Sequence, residues 1–218
     1  MATRVARAMS PARGRPIVTY TIIALCLVTY GIQFLTGDAV TNALIYAPFF
    51  TEAEPWRMLT SIFIHASIFH VGLNMYSLWL VGPALETMLG RLRFIVLFLI
   101  AGFGGSVGVL LLAPQNEAVL GASGAIFGLF GAYFLIARRL GGNTTFLLIV
   151  IVINLVIGFI PGAGIAWQAH VGGLVAGGLV ALIYLETRSR NRRWAQILLT
   201  GAVVLVLVIV TWAKVALF

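Results

Sequence analysis

Seven long apolar runs, separated by short polar or basic breaks, set the pattern of this chain. They fall at roughly 17–36, 66–83, 94–112, 121–137, 145–160, 167–185 and 195–217. A helix needs about 20 apolar residues to cross the hydrocarbon core of a bilayer, or somewhat fewer where it is short. The pattern therefore predicts seven spanning helices. Their connections are short except the first, from Gly37 to about Ser67. That segment carries Thr, Glu, Pro, Trp and Arg, but also the apolar stretches 47–50 and 62–64. It is too apolar for a solvated loop and is expected to be a structured segment in the membrane interface, a place that suits Trp56. No period of 20–50 residues repeats, so a solenoid is not expected. No inverted repeat of the transporter kind is visible either. The seventh run follows the basic linker Glu186–Arg193 and reads as an appendage to a six-helix unit. The expected divisions are a basic tail over 1–16, a six-helix core over 17–186, and a linker with a seventh helix over 187–218.

Composition narrows the class. The 218 residues are 61% hydrophobic and 9% charged, whereas a soluble domain carries about 25% charged residues. So few charges cannot cover a water-facing surface. The chain is read as an all-α polytopic membrane protein with the lipid bilayer as its solvent. The net charge of +8 does not call for nucleic acid, because the basic residues sit at the ends of apolar runs, where topology needs them.

The same charges set an orientation. With the N-terminus in the cytoplasm, twelve arginines fall inside: Arg4, Arg7, Arg13, Arg15, Arg91, Arg93, Arg138, Arg139, Arg188, Arg190, Arg192 and Arg193. Only Arg57 and Lys214 then fall outside. The positive-inside rule thus expects a cytoplasmic N-terminus and an outer C-terminus. The first apolar run is too long for a secretory h-region and lacks a small-residue cleavage site. An organellar transit peptide shares the arginines of the first 15 residues, but a basic cytoplasmic tail explains them too. The expected location is a prokaryotic cell membrane rather than an organellar inner membrane. The single cysteine, Cys26, excludes an internal disulfide and any cysteine-based metal cluster. Neither metal nor cofactor is expected.

Polar side chains inside a bilayer are costly, so each is a functional candidate. Those singled out are His70, Asn74, Ser77, Ser106, Ser123, Asn154 and His170. None is Asp, Glu, Lys or Arg, which argues against a proton- or ion-coupled transporter. Topology then places them by depth. The fourth span enters from outside near residue 121, which puts Ser123 two or three residues in, roughly 3–5 Å along the axis. The sixth enters from outside near residue 167, so His170 lies at a similar depth. On the second span His70 and Asn74 share a face one turn apart. A hydroxyl, an imidazole and further donors converge in the outer part of the bilayer, and nucleophilic acyl transfer needs that set. Taken singly, each has a plainer reading. A serine in a span usually bonds back to its own helix, and Asn74 serves equally to join two helices. Asn154, near the middle of the fifth span, is read as structural, and Ser77 and Ser106 as small packing residues. Glycines at 121, 124, 128 and 131 and at 173 and 177 form stripes that let the fourth and sixth spans approach closely.

These residues resemble the rhomboid intramembrane proteases. Gly121-Ala122-Ser123-Gly124 is similar to the family's nucleophile motif, and Ala169-His170-x-x-Gly173 to its general-base helix. His70-x-x-x-Asn74, with Trp56-Arg57 upstream, resembles its second helix and first loop, and Glu86-x-x-x-Gly90 a further family pattern. The resemblance covers about residues 17–186. It implies an intramembrane serine endopeptidase with six core helices plus one, cleaving single-span transmembrane proteins near the outer face. Ser123 would be the nucleophile and His170 the base, as a dyad without a third acid. The Ser123 backbone N–H, His70 and Asn74 would supply the oxyanion hole. Phe127, one turn after the nucleophile, would stack on the base. Trp56, Arg57, Glu86, Gly121, Gly124, Gly173 and Gly177 would be structural supports. A non-catalytic relative would typically lack the serine or the histidine; this chain has both.

Overall fold

The computed structural model describes residues 15–160 and 164–217. All of the expected basic tail but Arg15 and Pro16 lies outside these residues, as does Phe218 at the other end. Among the described residues seven long helices follow one another: α1 (Ile17–Thr36), α2 (Ile68–Leu89), α3 (Arg91–Leu112), α4 (Ser123–Arg139), α5 (Thr145–Gly158), α6 (Trp167–Glu186) and α7 (Arg193–Val215). Each coincides with one of the apolar runs to within three residues, except that α2 continues through Pro83 to Leu89, six residues past the expected end. Among the described residues there is no strand, only an antiparallel bridge between Tyr46 and Val119. The protein is an all-helical, multi-pass membrane protein.

Five of the helices are long and apolar enough to cross a membrane. The other two, α4 and α5, have 17 and 14 residues, about 25 and 21 Å at 1.5 Å per residue. The first turn of α4 lines a cavity.

The helix ends show how successive spans are set against one another. Helix α1 begins just after Pro16, and its first N–H groups are taken by a side chain far away in sequence. Glu86 of α2 accepts from the Val18 and Thr19 N–H groups at 3.0 and 2.7 Å and from the Thr19 hydroxyl at 2.8 Å. These are donors that the start of a helix leaves without an intrahelical acceptor. Gly90, at φ +81°, makes the tight turn from α2 into α3. At the other end of α2, Ser67 is the N-cap, its hydroxyl accepting from the His70 N–H at 3.2 Å.

The segment between α1 and α2 is structured. It holds short helices at Asp38–Leu44 and Arg57–Thr60 and single 3-10 turns at Pro48–Phe50 and Ser61–Phe63. Arg57 is its buried pin, 6% exposed. It ion-pairs with Glu54 at 2.6 Å, donates to the Asn42 and Ile45 carbonyls at 2.6 and 3.0 Å, and lies 4.1 Å over the Phe50 ring. Trp56 beside it is exposed.

Helix α6 sits between α3 and α4, and the contacts are backbone on backbone. A Cβ on Gly173 would strike the Gly124 carbonyl oxygen, and one on Gly177 would strike Gly128. On the other side, a Cβ on Gly108 would lie 3.0 Å from the Gly172 Cα. Lipid gives helices no hydrophobic reason to associate, so close van der Waals contact between small residues has to do it. Helix α7 packs against α3 and α6 from outside. A polar chain docks it: Arg93 Nε donates to Gln196 Oε1 at 2.7 Å, and Gln196 Nε2 donates to the Thr187 hydroxyl at 2.8 Å. Helix α5 is loosely held, with only Ile151 and Gly158 buried.

Candidate active site

A cavity of about 570 Å³ opens at the end of the bundle where α2, α4 and α6 begin. Ser123, His170, His70, Asn74 and Phe127 all line it, with Gly121 and Gly124 beneath them. Three helices and the 113–122 loop thus bring the expected chemical groups to one place.

Ser123 is the first residue of α4, rather than two or three residues inside it. The helix start comes later than the apolar pattern suggests because Gly121 takes φ +116°, a conformation that ends the preceding loop. At this position the Ser123 N–H belongs to the first helical turn and has no acceptor within the helix. His170 is the fourth residue of α6 and is buried. The α4–α6 contact runs through the sequence neighbours of both residues. A Cβ on Gly124 would be 3.1 Å from the Ala169 carbonyl.

The His170 ring lies flat on Phe127, with centroids 4.0 Å apart and planes 8° from parallel. Its Nδ1 is buried without a hydrogen bond to any described residue. No side chain here does what the aspartate of a triad does, and Nε2 is left as the nitrogen facing the cavity.

His70 is oriented from the opposite side. Its Nδ1 accepts from the Ala66 N–H at 3.4 Å. A neutral imidazole accepting at one nitrogen carries its proton on the other, so Nε2–H is the donor. That nitrogen faces Gly121: a Cβ there would be 2.7 Å from both Nε2 and Cε1. Gly121 therefore serves twice, once for its positive φ and once for the room it leaves. Asn74 spends one amide hydrogen on the His70 carbonyl at 2.9 Å, and its Oδ1 is buried and unpartnered.

Other expected residues lie elsewhere. Trp56, Arg57, Glu86, Gly173 and Gly177 do not line the cavity; the last two hold α6 against α4. Ser77, Ser106 and Asn154 do line it. Ser106 is committed to the Met58 carbonyl at 2.7 Å, and Asn154 to its own helix through the Val150 carbonyl at 2.9 Å.

Two polar groups escaped the reading of the sequence. His65 is 2% exposed and meets His70 edge-on, with centroids 5.2 Å apart. Neither of its ring nitrogens has a well-formed hydrogen bond. Burial, and then repulsion from His70, push its pKa down to about 4, only partly offset by the Phe63 backbone. Gln33, inside α1, clasps the His65 backbone, donating to its carbonyl at 3.2 Å and accepting from its N–H at 3.0 Å. The only sequence signal for either was a polar residue in an apolar stretch.

Comparison with known proteins gives the family. The rhomboid domain family matches residues 52–187. The rhomboid protease GluP of Bacillus subtilis is 35% identical over 178 residues, covering 75% of this chain and 34% of that protein. The putative rhomboid protease YdcA of the same organism is 32% identical over 184 residues, covering 81% of this chain and 92% of its own length. The rhomboid protease GlpG of Yersinia pseudotuberculosis is 28% identical over 183 residues, covering 80% and 64%. The chain thus spans about a third of the first relative and nearly all of the second.

Proposed function

The chain belongs to the rhomboid family, and from that premise we propose that it is an intramembrane serine endopeptidase working through a Ser123–His170 dyad. One observation carries the reading. The nucleophile and the base each adjoin the glycine contact between α4 and α6, and both line one cavity.

In this mechanism the Ser123 hydroxyl attacks the scissile carbonyl while His170 Nε2 takes its proton. The resulting oxyanion is held by the Ser123 N–H, by His70 Nε2–H and by the remaining amide hydrogen of Asn74. In a soluble serine protease one such donor is worth about 10²–10³ in rate. His170 then returns the proton to the leaving amine, and water enters through the cavity to release the acyl group. The Phe127 ring keeps the imidazole in one plane throughout.

The substrate is a transmembrane helix cut near the outer face of a cell membrane. Backbone in lipid is helical unless broken, so small or helix-breaking residues near the cut favour exposure of the peptide bond. The orientation places the arginine-bearing helix ends in the cytoplasm and the C-terminus outside. The test is purified protein with a single-span substrate, run beside Ser123→Ala and His170→Ala. Cleavage by the wild type alone, with a cut in the outer half of the span, is expected. Cleavage that survives both substitutions would sink the dyad, and a cut in the cytoplasmic half would sink the depth argument.

A further inference from the structure

Among the described residues lining the cavity, Glu117 is the sole charged side chain. The rest of the wall is apolar, glycine, hydroxyl, amide or imidazole. Glu117 lies on the 113–122 loop, six positions before Ser123. Its backbone is held on both sides. The Phe49 N–H donates to the Gln115 carbonyl at 3.1 Å, and the Glu117 N–H to Pro114 at 3.0 Å. Tyr46 and Val119 exchange bonds of 3.2 and 2.7 Å, and the Gly121 N–H donates to Ser61 at 2.9 Å. The loop is therefore a fixed platform, and the carboxylate on it is exposed. Yet this carboxylate has no hydrogen bond or ion pair with any described residue. Arg57, in the neighbouring segment, is already committed to Glu54 and two carbonyls.

We propose that Glu117 forms a cation-accepting subsite that takes a lysine or arginine side chain of the substrate, beside the scissile bond on the stretch leaving the membrane through the cavity mouth. This rests on the proteolytic reading above. A cation in that position meets a pre-placed opposite charge beside low-dielectric walls, where attraction exceeds that in bulk water. The carboxylate remains water-accessible, so the gain is that of an exposed pair, about two- to fivefold in selectivity. A role as third catalytic acid would act on every substrate alike, and Glu117 makes no bond to His170.

The experiment uses single-span substrates differing only at one outer flanking position, as Lys, Gln or Glu, with the position scanned outward from the cut. For the wild type, kcat/KM for Lys should exceed that for Gln about two- to fivefold at one position or more, with Glu lowest. The ratio should shrink as salt is raised, since screening weakens exposed pairs. In Glu117→Gln the Lys-to-Gln ratio should fall to about one, and in Glu117→Lys it should invert. Binding of the same three substrates to Ser123→Ala reads the subsite without any cleavage. A binding preference with no proteolysis keeps the subsite and removes the protease. A wild-type ratio of one at every position overturns the subsite. So does a ratio that survives Glu117→Gln, even if that substitution slows all three substrates.

Discussion

The cavity has two unlike walls. On one side, α4 and α6 meet through glycine backbones, and α3 presses on α6 in the same way. Thirteen residues of α3 and ten of α4 are buried. On the other side stands α5, with two buried residues, although Val150 and Asn154 line the same cavity. The first wall carries the proposed nucleophile and base, Ser123 and His170; the second carries neither. The lesson is a division of labour within one bundle. Catalytic groups need placement to a fraction of an ångström, while a helical substrate needs a wall that yields. Local stability differs between elements as buried contacts differ, and of the two walls α5 is the one that costs less to displace.

The largest effect should come from prising the fixed wall apart. Gly173→Val drives a branched side chain into the Gly124 carbonyl and separates the dyad. A displacement of about 1 Å costs on the order of a hundredfold in rate, so kcat/KM should fall at least that far. Retained activity would mean that the contact does not position the site. Phe127→Ala comes next. It removes the stacked face from His170 while leaving the helices in place, and a loss of about two- to tenfold in kcat/KM is expected from the worth of an aromatic pair. Phe127→Tyr should retain most activity.

A pH experiment probes a third region, the start of α2, through His65. Its folded pKa, about 4, lies below the ordinary 6.5, so the unfolded chain binds a proton first as pH falls. The stability contributed is complete above pH 6.5 and is lost progressively toward pH 4. Thermal melts should show Tm falling through that window, and His65→Gln should flatten the slope. The smallest effect belongs to α5. Ile151→Ala should cost no more than about 2 kcal/mol, the low end for a buried aliphatic, and should leave cleavage of helical substrates unchanged or faster. A penalty as large as that of Leu129→Ala, in the middle of the fixed wall, would erase the contrast.

Much of this was legible because lipid makes few demands and makes them loudly. The run lengths located seven helices, and the few polar residues within them marked the site. The stripe of Gly173 and Gly177 announced a close approach, and the structure shows Gly124 and Gly128 opposite them. The α3 glycines that face α6 were not read, because a glycine does not reveal its partner. His65 was passed over since it lies just before α2, and Gln33 since a lone amide barely interrupts an apolar run. The looseness of α5 was invisible for a deeper reason. Side chains that face lipid and side chains that face protein are equally apolar, so Val152 and Leu129 look alike in the sequence and differ only in the fold.

The clasp between Glu86 and the start of α1 also has a meaning in time. The chain is made from its N-terminus, and α1 exists in full some fifty residues before Glu86 does. Until then the N–H groups of Val18 and Thr19 have no protein acceptor at this clasp and depend on water or headgroups. When α2 arrives, its carboxylate replaces them, and the Gly90 turn holds that carboxylate in reach as α3 emerges. The first helix is thus threaded early and locked late. A nascent chain stalled before residue 86 should hold α1 in the membrane without yet fixing its place in the bundle.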